Sequence, residues 1–129
     1  ENLSNFSFTS EIDVLLVDSF GVNNQFYNLS HIVFLGGSLI KHGGQNPLEP
    51  ARLGCHVIHG PHINNFFEIY EYLKTLEISH GVNDLNEISN YISENIKKNK
   101  VSIEKVEKID LYGENILKLY VEEINNFLN

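Results

Sequence analysis

Along the chain, short runs of adjacent apolar residues alternate with stretches whose apolar positions recur every three or four residues. The first run, Val14-Leu15-Leu16-Val17 between Asp13 and Asp18, has the unbroken character of a strand covered on both faces by helices and predicts a central parallel strand. A helix-compatible stretch with Phe26, Tyr27 and Leu29 follows, and a second apolar run, Ile32 to Leu35, halts at Gly36 and Gly37. Asn46, Pro47, Leu48 and Glu49 predict the start of a helix that runs to about Leu53, with Gly54 as its stop. A strand from His56 to His59 ends on Gly60-Pro61. Helical spacing then runs from Asn65 to Leu76 through Phe66, Ile69, Tyr70 and Leu73, and Ile78 to Val82 predicts a last short strand. This alternation with short connections predicts an α/β fold with a parallel sheet.

Past residue 83 the sheet signals stop. Asp84 with Glu87 three residues later predicts a capped helix start, and Leu85, Ile88, Ile92 and Ile96 form one stripe that ends at Lys97 and Lys98. A final helix carries Leu117, Tyr120, Val121, Ile124, Phe127 and Leu128, a stripe wide enough to need a partner surface. The sequence thus divides into a sheet region, 1–83, and C-terminal helices, 84–129.

Composition narrows the class. The chain has 129 residues, 42% hydrophobic and 20% charged, with nine Gly, three Pro and one Cys, which suits one globular domain and excludes a collagen, a disordered tail or a disulfide scaffold. A formal net charge of -8 gives no footprint for nucleic acid or an anionic membrane surface. Cys55, alone in an apolar stretch, reads as a small core residue in a reducing compartment. The sequence contains no Met and opens on Glu1 in a polar run, which reads as a piece excised from a longer protein, with no signal peptide or membrane segment visible.

Candidate chemistry concentrates between Gly36 and Pro50. A strand ends in two glycines, a second pair, Gly43-Gly44, bends the loop, and a helix begins with Asn46 as cap, Pro47 in its first position and Glu49 in its third. Free backbone N–H groups there suit an anion, and the crevice beyond the strand ends of an open α/β sheet is where ligands bind. The alternative is that Asn46 and Glu49 only cap their own helix. His56, His59 and His62 recur every third residue, but on a strand His56 and His59 point to opposite faces, so no metal site is expected. His62 lines the crevice or bonds its own turn, and His31, His42 and His80 carry no pattern. Asp18, at a strand end, caps the following turn or contacts a ligand. None of these is a candidate catalytic base.

In order and spacing, Asp18-Ser19-Phe20-Gly21, Phe26-Tyr27, Phe34-Leu35-Gly36-Gly37-Ser38, Gly43-Gly44-Gln45-Asn46-Pro47-Leu48-Glu49-Pro50, Gly60-Pro61-His62 and Asn65-Phe66 resemble the C-terminal domain of the 3-deoxy-D-manno-octulosonic acid (Kdo) transferases. The resemblance spans about Ile12 to Phe67; after Leu85 it is one of character only. It implies a Rossmann-like parallel sheet flanked by helices, the C-terminal portion of a GT-B glycosyltransferase. It also implies transfer of Kdo from CMP-Kdo to a lipid A precursor, with no metal or other cofactor. Phe20, Gly21 and Val22, with Asn46, Pro47, Leu48 and Glu49, would contact CMP, and Glu49 would accept from the ribose hydroxyls. Ser38, Gln45 and His62 would line the donor crevice. Two positions depart from the family: Val22 stands where Glu is usual, and Gln45 where His is usual.

The same resemblance implies a preceding membrane-associated domain that supplies the catalytic carboxylate and the acceptor site, at the cytoplasmic face of a bacterial inner membrane. No catalytic residue is then expected here. The first strands of the C-terminal domain would precede Glu1, and a remnant edge strand is expected around Phe6 to Thr9. The isolated, soluble piece is expected to lack transferase activity and to self-associate through an open strand edge or its last helix. The rival readings are another nucleotide-sugar enzyme, such as an epimerase or a UDP-sugar transferase, and a non-catalytic α/β interaction module.

Overall fold

The computed structural model describes residues 13–128. Its centre is a three-stranded parallel sheet of β1 (Ile32–Leu35), β2 (His56–His59) and β3 (Ser79–Gly81), in that spatial order. Ile32 lies opposite His56 and Leu35 opposite His59, while Val57 faces Ser79 and His59 faces Gly81. The middle strand has ladders on both sides, and all four of its residues are buried. The helices are α1 (Asn23–Leu29), α2 (Leu48–Arg52), α3 (Phe67–Thr75), α4 (Leu85–Asn95) and α5 (Ile103–Leu128), with one 3-10 turn at Asn64–Phe66.

Leu35, Ala51, Val57, Ile63, Tyr70, Leu73, Ile78, Val101 and Ile109 form the core, with Leu48, Phe66, Ile69 and Val106 packed against it. It therefore sits where α2, α3 and the start of α5 close around β2. Each fully buried Leu or Ile contributes about 1.5–3 kcal/mol, and that decides how α5 is held. Its Asp110 bonds Arg52 at 2.9 Å, but both side chains are about half exposed, and such a pair adds at most about 1 kcal/mol. Burial of Ile109 and the stacking of Tyr72 on Tyr112 at 4.0 Å carry the contact instead. Gly113 lies within α5, and the Arg52 guanidinium is 3.1 Å from where its Cβ would stand. The final helix is longer than its C-terminal stripe suggests, since it already begins at Ile103. Beyond Gly113, Leu117, Tyr120, Val121, Ile124, Phe127 and Leu128 all face solvent.

The capped start of α4 forms with a twist. Asp84 Oδ1 accepts from the amides of Asn86 at 2.8 Å and Glu87 at 3.0 Å, whereas the Glu87 carboxylate reaches back to the amide of Asn83 at 2.7 Å rather than to that of Asp84. Stacking of Tyr91 on His80 at 4.4 Å ties α4 to the end of the sheet.

One expectation fails. Val14 to Val17 form no strand: the segment is irregular, and Val14 and Leu16 are 86% and 89% exposed. An apolar run becomes a central strand only when ladders and helices enclose it. Among the described residues β1 pairs with β2 alone, so 14–17 has no ladder, and only Leu15 and Val17 are partly covered. Asp18 consequently ends no strand. The expected edge strand at Phe6 to Thr9 lies outside the described residues.

Candidate functional site

Because all three strands are parallel, their C-terminal ends share one edge, and residues 36–47, 60–66 and 82–84 gather there. The 36–47 loop is held almost entirely through its main chain. The Gly44 amide donates to the Gly37 carbonyl at 3.1 Å, the Asn65 amide to that of Gly43 at 3.1 Å, and the His62 amide to that of Ser38 at 2.9 Å. The Tyr70 hydroxyl rises from α3 to donate to the Gln45 carbonyl at 2.9 Å, and burial pushes its pKa up, so it remains a donor. Gly43 and Gly44 adopt φ of 95° and 79°, a left-handed conformation that strains any other residue. A Cβ on Gly43 would overlap the Asn65 side chain, and one on Gly44 would sit 3.2 Å from the His62 carbonyl.

Ser38 is fully buried and its hydroxyl is committed: it donates to the Leu35 carbonyl at 2.6 Å and accepts from the Gly60 amide at 2.9 Å. It braces the crevice from beneath. Gln45 is exposed and His62 half-buried beside Gly44, so both side chains border the open edge.

At the start of α2, Asn46 Oδ1 accepts from the Leu48 amide at 3.0 Å as expected, but the helix begins one residue later than predicted, with the fully buried Pro47 rather than Asn46 in the N-cap position. The predicted partner of Asn46 is different. Glu49 is exposed and, among the described residues, its carboxylate has no hydrogen-bond partner. It lies near α1, where it raises the pKa of the Tyr27 phenol, second to burial. Phe20 is fully exposed, Gly21 takes φ of 78°, and Val22 caps α1 with its carbonyl, which accepts from the Gln25 amide at 3.0 Å.

The histidines divide as the strand period requires. His59 Nδ1 lies 2.8 Å from the Gly60 carbonyl, so that nitrogen carries the proton, and the ring packs on Tyr70 at 4.4 Å. His56 Nε2 lies 3.1 Å from the Asn99 carbonyl, and its Nδ1 is buried without a hydrogen-bond partner among the described residues. Burial lowers the pKa of both rings. Among the described residues no three His, Cys, Asp or Glu side chains gather to hold a metal ion, and no helix is long and apolar enough to cross a membrane.

No family model matches the chain. Individual relatives do. Over 104 residues it is 38% identical to the 3-deoxy-D-manno-octulosonic acid transferase of Haemophilus influenzae, a match that covers 81% of this chain and 24% of that protein. The enzyme of the same name from Aquifex aeolicus is 30% identical over 118 residues, covering 92% of this chain and 32% of its own length. The crystal structure of the C-terminal CMP-Kdo binding domain of WaaA from Acinetobacter baumannii superimposes with a TM-score of 0.60 at 26% identity, covering 78% of this chain and 51% of that one. The chain belongs to the 3-deoxy-D-manno-octulosonic acid transferase family. It corresponds to the C-terminal, Rossmann-like part of that family, and it spans 24% and 32% of the length of the two sequence relatives.

Within this Kdo transferase segment, several supporting residues escape a sequence reading. Tyr70 looks like an ordinary core aromatic in its helix, yet its hydroxyl fixes the glycine loop 25 positions away. Ser79 supports it in turn by donating to the Tyr70 carbonyl at 2.9 Å. Neither residue carries a motif. The only signal available is that a buried Tyr must place its hydroxyl on a partner.

Proposed function

We propose that this chain is the donor-binding portion of a longer glycosyltransferase that moves Kdo from CMP-Kdo onto a lipid A precursor in lipopolysaccharide biosynthesis. The observation that carries the reading is the main-chain-pinned glycine loop leading into the Asn46-bonded start of α2 at the C-terminal edge of the sheet, in a chain whose relatives are Kdo transferases. A loop that only turned the chain would need neither the buried Ser38 brace nor the Tyr70 strut. In this reading Phe20, Gly21 and Val22 flank the nucleotide on one side and Asn46, Pro47, Leu48 and Glu49 on the other. The exposed Glu49 carboxylate, unpaired among the described residues, would accept from the ribose hydroxyls. Gln45 and His62 border the sugar, and Ser38 holds the floor.

Residues 1–129 then form part of a C-terminal nucleotide-sugar-binding domain, with 1–83 as its sheet region and 84–129 as its helices. The catalytic carboxylate and the acceptor site belong to the remainder of the parent, at the cytoplasmic face of the inner membrane. Val22 removes a carboxylate from the pocket, and Gln45 keeps hydrogen-bonding capacity without a titrating ring. Competition of CMP and UDP for the full-length protein tests the assignment: CMP is expected to displace a labelled CMP probe and UDP to fail. The reverse preference would assign the site to a UDP-sugar enzyme, and no binding of either would leave an interaction module.

A further inference from the structure

The segment between α4 and α5 does more than connect them. The Val101 amide donates to the Gly54 carbonyl at 2.9 Å, and the Asn99 carbonyl meets the His56 ring. Between them, Lys100 Nζ donates to the carbonyl of Tyr27 at 2.9 Å and to that of Leu53 at 2.8 Å. Tyr27 lies in the last turn of α1 and Leu53 caps the end of α2. One ammonium therefore serves the C-terminal carbonyls of two helices, the ends at which a helix dipole favours a cation.

The two helices differ in how firmly they are otherwise held. Pro50 and Ala51 set α2 into the protein interior, whereas α1 buries no residue at all, and the chain before it is exposed. Besides Lys100, α1 is held by the buried Cys55 thiol, which donates to the Tyr27 carbonyl at 3.1 Å and the Ser30 carbonyl at 3.3 Å. Lys100 thus fastens α1, none of whose residues is fully buried, to α2, which sets Pro50 and Ala51 into the interior. We propose that Lys100 is a positioning residue for the donor site: by tying the last turn of α1 to the end of α2, it sets Phe20, Gly21 and Val22 against Asn46 to Glu49. This rests on the donor-binding reading above. Cys55 lies beneath the same clamp, so its accessibility reports whether α1 has lifted.

The test compares full-length protein carrying Lys100→Met, which keeps the aliphatic stem but no donors, with Lys100→Arg, which keeps donors. Titration with CMP, steady-state kinetics with CMP-Kdo and the rate of Cys55 alkylation, followed by peptide mass spectrometry, are measured together. Lys100→Met is expected to raise the CMP Kd and the donor KM roughly tenfold, with kcat within about twofold, and to speed Cys55 alkylation; Lys100→Arg restores most of each. Wild-type CMP affinity in Lys100→Met overturns the proposal, as does a loss that tracks only the unfolded fraction and is not rescued by Arg. A wild-type protein that does not bind CMP defeats the donor reading instead. In that case the alkylation rates decide the clamp by themselves, faster alkylation upholding it and an unchanged rate overturning it.

Discussion

The Gly60 amide donates to the Ser38 hydroxyl at 2.9 Å, and a side chain at position 60 would collide with the Ser38 carbonyl. The ends of β1 and β2 are locked together at this point. Removing the hydroxyl in Ser38→Ala strands a buried amide and is expected to cost about 1–3 kcal/mol. Gly60→Ala is expected to cost at least as much, because the atoms in its way are backbone. Urea denaturation of both variants checks this, and a midpoint equal to wild type in either would show that the lock is dispensable.

Glu49 stands apart from the cap it was expected to complete. Since the Leu48 amide is already satisfied by Asn46, Glu49→Ala should leave α2 formed while weakening CMP binding to the full-length protein by roughly tenfold, the loss typical of hydrogen bonds to a charged group. Calorimetric titration measures the affinity, and a thermal melt verifies the fold. Unchanged affinity would return Glu49 to the minor role of a first-turn charge.

Stability should fall in acid for a reason rooted in His56. Burial holds its pKa below the ordinary value, assisted by Lys98 and Lys105, while the carbonyls of Asn99 and Glu77 pull the other way. The neutral ring is the native form, so its contribution is intact above pH ~6.5 and is lost as pH falls from there through the lowered native value, where the unfolded chain takes up a proton first. His59, lowered by burial with His80 and Lys74 nearby and opposed by Gly60 and Glu71, adds in the same direction. Denaturation midpoints across pH 5 to 8 are expected to drop less in His56→Gln than in wild type. Parallel profiles would assign the acid sensitivity elsewhere.

The far half of α5 predicts the behaviour of the chain in isolation. Leu117, Tyr120, Val121, Ile124 and Leu128 recur at helical spacing and are exposed, so the 129-residue chain alone should self-associate through this face. Sedimentation velocity over a concentration series is expected to show association that Val121→Lys with Ile124→Lys abolishes. A monomer at every concentration would count against it.

How much was legible from sequence follows from the range of the forces involved. The Gly54 stop and the Asp84 cap were readable because each depends on neighbours within a few positions, and the Ile32–Leu35 and His56–His59 runs because the partners they need are present in the chain. Val14 to Val17 misled for the opposite reason: their apolar character is local, but strand formation depends on partners elsewhere in the chain. For the candidate site, the motif located the loop but not its supports, since Tyr70, Ser79 and Lys100 act on carbonyls 25, 9, and 47 or 73 residues away. The part of α5 before Gly113, from Ile103, was missed as well, because its contacts are with Arg52 and Tyr72, far away in the sequence.

The loop from Gly36 to Asn46 is gripped by the carbonyls of Gly37, Ser38, Gly43 and Gln45, all atoms that every residue type possesses. Its shape is therefore largely uncoupled from the side chains it displays at Leu39, Ile40, Lys41, His42 and Gln45. The Gln that stands at position 45, where the family resemblance implies His, is the kind of exchange such a scaffold absorbs. For an engineer, these five positions are the part of the proposed donor site whose side chains can be exchanged while the ring of main-chain bonds keeps the loop's form.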